Sequence, residues 1–249
     1  MITVVLLIVG FFAGAINSIA GGGALLAFPA LLYAGLSPLS ASITGFLVVW
    51  PGSLSAAVGN KKDLKKLPRK YFTLLIPCLI GGIIGMFALK ATPSTTFDSV
   101  VPWLVLFTVT VFIFQPELQK HIKRPAHLRP QISLAIVWLG VLLVSIYAGY
   151  FGLGAGLILL TLFGFTSIKS IYQMIGLKNL AGFLITFSAT IFFATSEHMI
   201  YKYGLPMAVG SIAGGYLGAR FSHRISQHAV RILVSSIGII LVVVAFTKF

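Results

Sequence analysis

The stretch that decides the fold reads Gly10-Phe-Phe-Ala-Gly14-Ala-Ile-Asn17-Ser-Ile-Ala-Gly21-Gly22-Gly23-Ala-Leu-Leu-Ala-Phe-Pro29. It joins an apolar segment at 2–20 to a second at 24–36, with three consecutive glycines between them. Glycine clusters break helices, and broken backbone at membrane depth survives only where it is buried in protein or lines a cavity. The stretch therefore predicts two helical segments that meet at a break inside a membrane protein.

The composition of the whole chain also points to a membrane. Of the 249 residues 58% are hydrophobic and only 9% are charged, and the mean hydropathy is +1.03. An ordinary soluble domain carries roughly 25% charged residues, so a water-soluble fold is excluded. The first basic residue is Lys61, so the N-terminal apolar segment lacks the basic flank of a secretory signal and is expected to stay in the mature protein.

Eight apolar segments approach the roughly 20 residues that a bilayer-spanning helix needs. They lie at 2–20, 39–59, 71–90, 99–115, 132–150, 168–194, 204–221 and 232–248. Two shorter segments, 24–36 and 156–166, each follow a glycine cluster, and whether they cross the bilayer or re-enter is left open. We therefore predict an all-α polytopic membrane protein of eight to ten helical segments.

The two halves of the chain resemble each other. At an offset of 133 residues, Gly21 and Gly23 align with Gly154 and Gly156, and the GGxxG motif of Gly81 to Gly85 aligns with that of Gly214 to Gly218. The GGxxG pair is more typical of close helix packing than of a binding site. We predict two membrane repeats of about five segments each, at 1–115 and 132–249, joined by a basic cytoplasmic linker at 116–131.

The basic residues indicate how the repeats are oriented, because cytoplasmic loops are enriched in lysine and arginine. Fourteen of the 18 fall on one predicted side: Lys61, Lys62, Lys65, Lys66, Arg69, Lys70, Lys120, Lys123, Arg124, Arg129, Lys169, Arg220, Arg224 and Arg231. The basic loop 60–70 corresponds to the nearly neutral loop 195–203 in the second half. This opposite character predicts inverted-topology repeats in the cell (inner) membrane, with the N- and C-termini on the non-cytoplasmic side.

The opening stretch resembles the first signature of the TauE/SafE sulfite exporter family, and Ala148-Gly149-Tyr-Phe-Gly152-Leu-Gly154-Ala-Gly156 resembles the second. The second copy has Ala155 where a third glycine is usual and lacks a counterpart of Pro29. The resemblance implies a secondary transporter, an exporter, of small sulfur-containing oxyanions such as sulfite, thiosulfate or organosulfonates. Alternating access around a midplane anion site is the expected mechanism, since inverted repeats with broken helices place their sites there.

The expected partners are a small inorganic or organosulfur anion and the lipid bilayer, with no nucleic acid, and a homodimer is left open. No cofactor, metal or enzymatic activity is expected, because the predicted spans hold no paired carboxylates and no ligand set around Cys78. They also hold no acid or histidine relay, which predicts passage down the substrate's own gradient. The alternatives are an anion channel and a membrane protein that handles sulfur compounds without transport.

Helix N-termini offer an oxyanion both N–H donors and positive potential. The candidate anion-binding glycines are therefore those at the two breaks: Gly21, Gly22, Gly23, Gly152, Gly154 and Gly156. Close helix packing is the alternative explanation for these glycines.

Lys178 is the sharpest single candidate, because it lies about 13.5 Å along a helix from Lys169 and a lysine near the bilayer centre is costly. Its alternative role is to line a vestibule or to reach the interface. Asn17 and Asn179 are intramembrane amides that either donate to an anion or cap broken helices. Gln173 and Thr44 are further candidate contacts, with hydrogen bonds between helices as the alternative.

Overall fold

The computed structural model describes residues 2–114, 133–222 and 227–248, and every regular element in these ranges is helical. We number ten helices: α1 Ile2–Ala20, α2 Ala24–Tyr33, α3 Pro38–Gly59, α4 Leu75–Ala91, α5 Ser94–Ile113, α6 Leu134–Tyr150, α7 Ala155–Gly164, α8 Ile171–Phe192, α9 Tyr201–Arg220 and α10 Gln227–Lys248. A helical turn, Lys61–Leu64, and a 3-10 helix, Arg69–Leu74, precede α4. The predicted basic linker 116–131 lies outside the described residues.

Several of these helices suit a bilayer. Five segments are long and apolar enough to cross a membrane by length and composition: Ile2–Ala20, Pro38–Gly59, Arg69–Ala91, Ser94–Ile113 and Ile171–Phe192. Large apolar side chains such as Val4, Trp103 and Ile191 are exposed on the outside of the bundle. The prediction of an all-α polytopic membrane protein is confirmed. The inverted-repeat arrangement stays a prediction.

Serine caps set the starts of the two helices that run through the middle of the bundle. Ser37 accepts a hydrogen bond from Ser40 N at the start of α3, and Ser170 accepts one from Tyr172 N at the start of α8. Both helices are 22 residues long. They begin at Pro38 and Ile171, so they have the same 133-residue offset as the glycine motifs. The helix α8 therefore begins three residues later than the predicted segment 168–194.

The first glycine break turns the chain back on itself. α1 runs parallel to α9, with Gly210 against the backbone of Leu7 and Gly218 against that of Ala15. The chain then returns through α2, because Thr44 near the start of α3 bonds to His198 just before α9. A ten-residue helix such as α2 spans only about 15 Å, half of a roughly 30 Å hydrocarbon core. The pair α1–α2 is therefore a hairpin that begins and ends at the same end of the bundle, and whether α2 crosses or re-enters the bilayer stays open.

The second glycine break does the same from the other end of the bundle. Leu134, at the start of α6, and Phe165, just after α7, line one small pocket together with Lys70. The chain thus enters α6 and leaves α7 at the same end, and α7 also has ten residues. Two hairpins that enter from opposite ends are what inverted repeats would produce.

The GGxxG glycines pack helices closely, as predicted. Gly81 and Gly85 on α4 lie against the backbone of α6 at Leu142 and Ile146. On α9, Gly214 lies against the backbone of Phe11 in α1. No side chain fits at these contacts, so the two helix pairs α4–α6 and α1–α9 approach to backbone distance.

The charged loops divide the bundle into two ends. The basic end contains the segment Lys61–Lys70, whose Lys70 lies beside Phe165, and it also contains Arg220, which adjoins Gly59. The opposite end contains the loops around Thr92 and His198. The described members of the predicted cytoplasmic set thus lie at one end, as the charge pattern requires. The four in the linker 116–131, Arg224 and the side chain of Arg231 fall outside the described residues.

Candidate functional site

The two glycine breaks meet inside the bundle. Gly21 has a φ of +81°, and an added Cβ there would come within 2.7 Å of the Gly156 carbonyl carbon. Gly152 and Gly154 have φ values of +80° and +73°. Glycine is required at these turns because L-residues with side chains rarely adopt such angles. α2 and α7 therefore begin next to each other, and their first N–H groups lack partners within their own helices.

A cavity of about 60 Å³ lies where the breaks meet, between α3 and α8. A single water needs about 10–15 Å³, so the space suits a group of a few non-hydrogen atoms. Along α3 the lining runs from Ala41 to Ser53, roughly 18 Å at 1.5 Å per residue. One end is polar and the other is walled by Phe28, Phe46 and Phe151. Most of its polar side chains lie at one end, but Ser42, whose buried hydroxyl has no partner among the described residues, lines the aromatic end.

Lys178 lies at the polar end and is only 2% exposed. Its Nζ donates to the carbonyl oxygens of Asn17 and of Ser18, the latter at 3.5 Å. These carbonyls belong to the C-terminal end of α1, where the helix dipole is negative and favours a cation. The sequence suggested an unpaired cation. Within the described ranges Lys178 has no carboxylate partner, but the end of α1 supplies carbonyl partners instead.

The position of Lys178 along α8 shows which end of the bundle lies nearer, while its depth in the bilayer stays a prediction. α8 begins at Ile171, so Lys178 lies about 10 Å from the start of the helix rather than at its middle. Two residues nearer the start, Leu64 from the basic segment packs against Gly176. The polar end of the cavity therefore lies closer to the basic end of the bundle than to the opposite end.

The amide of Asn179 closes this polar end. Its Nδ2 donates to Ser18 O at 3.2 Å and to Asn60 Oδ1 at 3.1 Å. Both N–H donors are thus used, and the remaining Oδ1 is buried without a partner among the described residues. An acceptor repels an oxyanion, so in this conformation Asn179 holds helices together rather than donating to an anion.

Three donors remain for an anion. The Asn17 Nδ2 donates to Ser53 Oγ at 3.1 Å, which leaves a second amide hydrogen. Ser53 accepts that bond, so its own hydroxyl hydrogen is free. The ammonium of Lys178 has three hydrogens and makes two hydrogen bonds, so one is left. Asn17, Ser53 and Lys178 therefore offer one donor each at the polar end of the cavity.

Hydroxyl groups hold the second break in place. Tyr147 OH donates to Leu153 O at 2.7 Å, and Thr108 Oγ1 lies 3.2 Å from the same oxygen. The two hydroxyls are 2.7 Å apart. The carbonyl between Gly152 and Gly154 is thus satisfied by side chains of α5 and α6, which fixes the turn from which α7 begins.

Six of the eleven predicted residues line the cavity: Asn17, Gly21, Gly152, Gly156, Lys178 and Asn179. Gly22, Gly23 and Gly154 belong to the same breaks but lie against other parts of the protein. A Cβ at these three positions would meet Phe112, Ala13 and Thr108, respectively. The absence of a side chain at these positions lets the breaks pack, and a contact between their backbone and an anion stays a prediction.

Thr44 and Gln173 are not among the residues that line the cavity. Thr44 Oγ1 donates to His198 O at 3.3 Å and accepts from Ile200 N at 3.0 Å, so it ties α3 to the loop before α9. Gln173 lies in the first turn of α8, on the basic-end side of Lys178.

The sequence reasoning missed Ser53 and Asn60. Ser53 had a signal, because at the 133-residue offset it aligns with Thr186, and both residues line the cavity. Asn60 is buried at the C-terminal end of α3, directly before the basic segment. Nothing in the sequence distinguishes it from an ordinary helix cap, so only the fold reveals its contact with Asn179.

Thr44→Val and Ser53→Ala are expected to distinguish a residue that stabilises the fold from one that binds the anion. Thr44→Val leaves Ile200 N without its acceptor, which costs about 1–3 kcal/mol of stability and lowers the melting temperature. Ser53→Ala removes a donor at the polar end and weakens anion binding while the melting temperature changes less. Thermal unfolding in detergent, with and without anion, measures both quantities. The reverse pattern would place Thr44 rather than Ser53 at the anion.

Taken together, the helices and the polar cavity between two broken hairpins define an all-helical, polytopic membrane protein with a buried polar site that contains a lysine. The family model for the sulfite exporter TauE/SafE matches residues 6–245 of the chain. The chain belongs to this family, so it is a membrane transporter.

Curated relatives agree with this assignment. A probable membrane transporter protein of Haemophilus influenzae is 30% identical over 226 residues, covering 87% of this chain and 83% of the relative. The probable membrane transporter protein YfcA of Escherichia coli K12 is 28% identical over 235 residues, covering 91% and 83%. The probable membrane transporter protein ORF9 of a Sinorhizobium species is 27% identical over 221 residues, covering 87% and 82%. No solved structure matches the chain with significant similarity.

Proposed function

We propose that this protein exports small sulfur-containing oxyanions, such as sulfite, thiosulfate or organosulfonates, by alternating access. The observation that carries the proposal is the polar end of the cavity, where Lys178 and two neutral donors converge beside two helix N-termini. An oxyanion accepts several hydrogen bonds at once and is favoured by the positive potential of helix N-termini. The family name supports the choice of sulfur oxyanions.

The direction of transport follows from charge. The basic end is proposed to face the cytoplasm, because lysine and arginine are enriched in cytoplasmic loops. An inside-negative potential then favours exit of the anion toward the opposite end, at about 2.3 kcal/mol per charge and 100 mV. This driving force needs no coupling ion, in keeping with a site whose cation is bonded to carbonyls rather than to a titrating acid.

A flux panel in proteoliposomes tests the proposal. We expect saturable flux of at least one anion among sulfite, sulfate, thiosulfate and methanesulfonate, and weaker flux of acetate. Flux that stays linear with concentration would instead indicate a channel. The absence of flux for every sulfur oxyanion would contradict the substrate class, and uphill anion movement driven by a proton gradient would contradict the proposed driving force.

A further inference from the structure

A second cavity, of about 410 Å³, lies at the opposite end of the bundle. It forms where α3 begins and where α4 and α8 end, and we call it the vestibule. Its polar lining residues are Lys90, Thr92, Ser94, Thr195, Ser196 and His198. The candidate site described above includes none of these residues, so the vestibule is a separate feature of the fold.

The lining of the vestibule suits an anion. Lys90 Nζ lies 5.4 Å from the centre of the Phe192 ring, and in the part of the chain that the structure describes no carboxylate lies within 4.0 Å of it. Two acids lie at this end, and neither lines the vestibule: Glu197 is largely exposed and lies 4.0 Å from His198, and Asp98 lies one turn into α5 from Ser94. Among the described residues that line the vestibule, Lys90 is the only lysine and there is no arginine, aspartate or glutamate.

A pair of aromatic rings separates the vestibule from the central cavity. Phe46 lines the central cavity and Phe193 lines the vestibule. Their rings stack at 6.4 Å with an interplanar angle of 8°. An anion that leaves the polar end of the central cavity toward the opposite end therefore meets this pair next, and the vestibule lies directly beyond it.

We propose that the vestibule is a second anion-binding station, in which Lys90 attracts the small oxyanion, and that the Phe46–Phe193 pair separates it from the central cavity. This inference rests on the proposed function, because it assigns the vestibule to the same anion. It adds a site and a residue, Lys90, that the sequence analysis did not single out.

The charge preference of the vestibule can be measured without transport. Ser94→Cys places a thiol at its exposed rim, and the wild type is the blank because its single cysteine, Cys78, is buried. We expect the anionic sulfonatoethyl methanethiosulfonate to modify this thiol faster than the cationic trimethylammonioethyl reagent, after correction for their rates with a free thiol. Lys90→Gln should reduce that preference about fivefold at low salt, the size of one nearby charge in water.

Lys202→Gln is the matched control. Lys202 is also an exposed lysine at this end, and its Nζ lies 5.4 Å from the Tyr203 ring centre, but it does not line the vestibule. We expect it to leave the reagent preference unchanged. Equal rates for the two reagents, or equal effects of the two lysine substitutions, would overturn the proposed anion station.

Transport then places the vestibule on the pathway. For anion supplied at the opposite end, Lys90→Gln should raise the half-saturation concentration severalfold, whereas Lys202→Gln should not. If Lys90→Gln abolishes the reagent preference but leaves transport unchanged, the vestibule is not a station on the pathway. If the wild type carries none of the anions, the proposed function fails, and the thiol experiment still decides whether the vestibule collects anions.

Discussion

Replacing Lys178 by methionine is expected to weaken anion binding strongly while the helices stay in place. Methionine keeps much of the length and apolar contact of the lysine but removes the charge and the spare hydrogen at the polar end. A hydrogen bond to a charged group contributes about 1.5–3 kcal/mol, which corresponds to a loss of roughly 10- to 150-fold in affinity. The dissociation constants of wild type and variant, measured by thermal shift against anion concentration, check this.

The control for this experiment is Lys169→Met. Lys169 is an exposed lysine at the basic end, nine residues before Lys178. Its substitution removes the same charge from the chain but at a position outside the cavity. The fold should survive Lys178→Met, because Asn17 O retains a hydrogen bond from Gly21 N at 3.0 Å. Unchanged anion affinity in a folded Lys178→Met protein would show that the lysine only caps α1.

Gly21→Ala is expected to destabilise the protein by two independent effects. The φ of +81° alone costs an L-residue about 1–2 kcal/mol. The new Cβ would also come within 2.7 Å of the Gly156 backbone, which cannot move without displacing the start of α7. We therefore expect a fall in melting temperature together with loss of anion binding, measured on the protein purified in detergent.

Gly35→Ala distinguishes the cost of the positive φ from the cost of the steric contact. Gly35 also has a positive φ, +95°, but an added Cβ there meets no heavy atom within 4 Å. It should therefore show only the backbone penalty, about 1–2 kcal/mol, with anion binding intact. Equal losses of stability in the two variants would mean that the contact between the breaks contributes little.

Much of the fold is readable from the sequence because its main features are periodic or glycine-rich. The apolar segments, both breaks and the packing role of the GGxxG motifs follow from patterns that the membrane imposes on any sequence. The starts of helices are harder to predict from the sequence. The cap at Ser170, for example, lies inside an apolar run, so α8 begins later than the predicted segment.

The candidate site was predictable in its residue types but not in its hydrogen bonds. Lys178 was identified because a buried lysine is costly, and Asn17 because it adjoins a break. Which of their hydrogens remain free depends on partners far along the chain, such as Asn60 for Asn179 and Ser53 for Asn17. The sequence position of a side chain does not show which distant residues it contacts. It therefore does not show whether an amide donates to an anion or holds two helices together.

The hydrogen bonds between Lys178 and the end of α1 affect how tightly an anion can bind. An anion that binds to Lys178 competes with the carbonyls of Asn17 and Ser18 for the ammonium. A hydrogen bond that the anion gains therefore replaces one that the protein already had. Such competition lowers net affinity and speeds release. The same carbonyls stabilise the ammonium when no anion is bound, so Lys178 keeps its hydrogen-bond partners in the empty site.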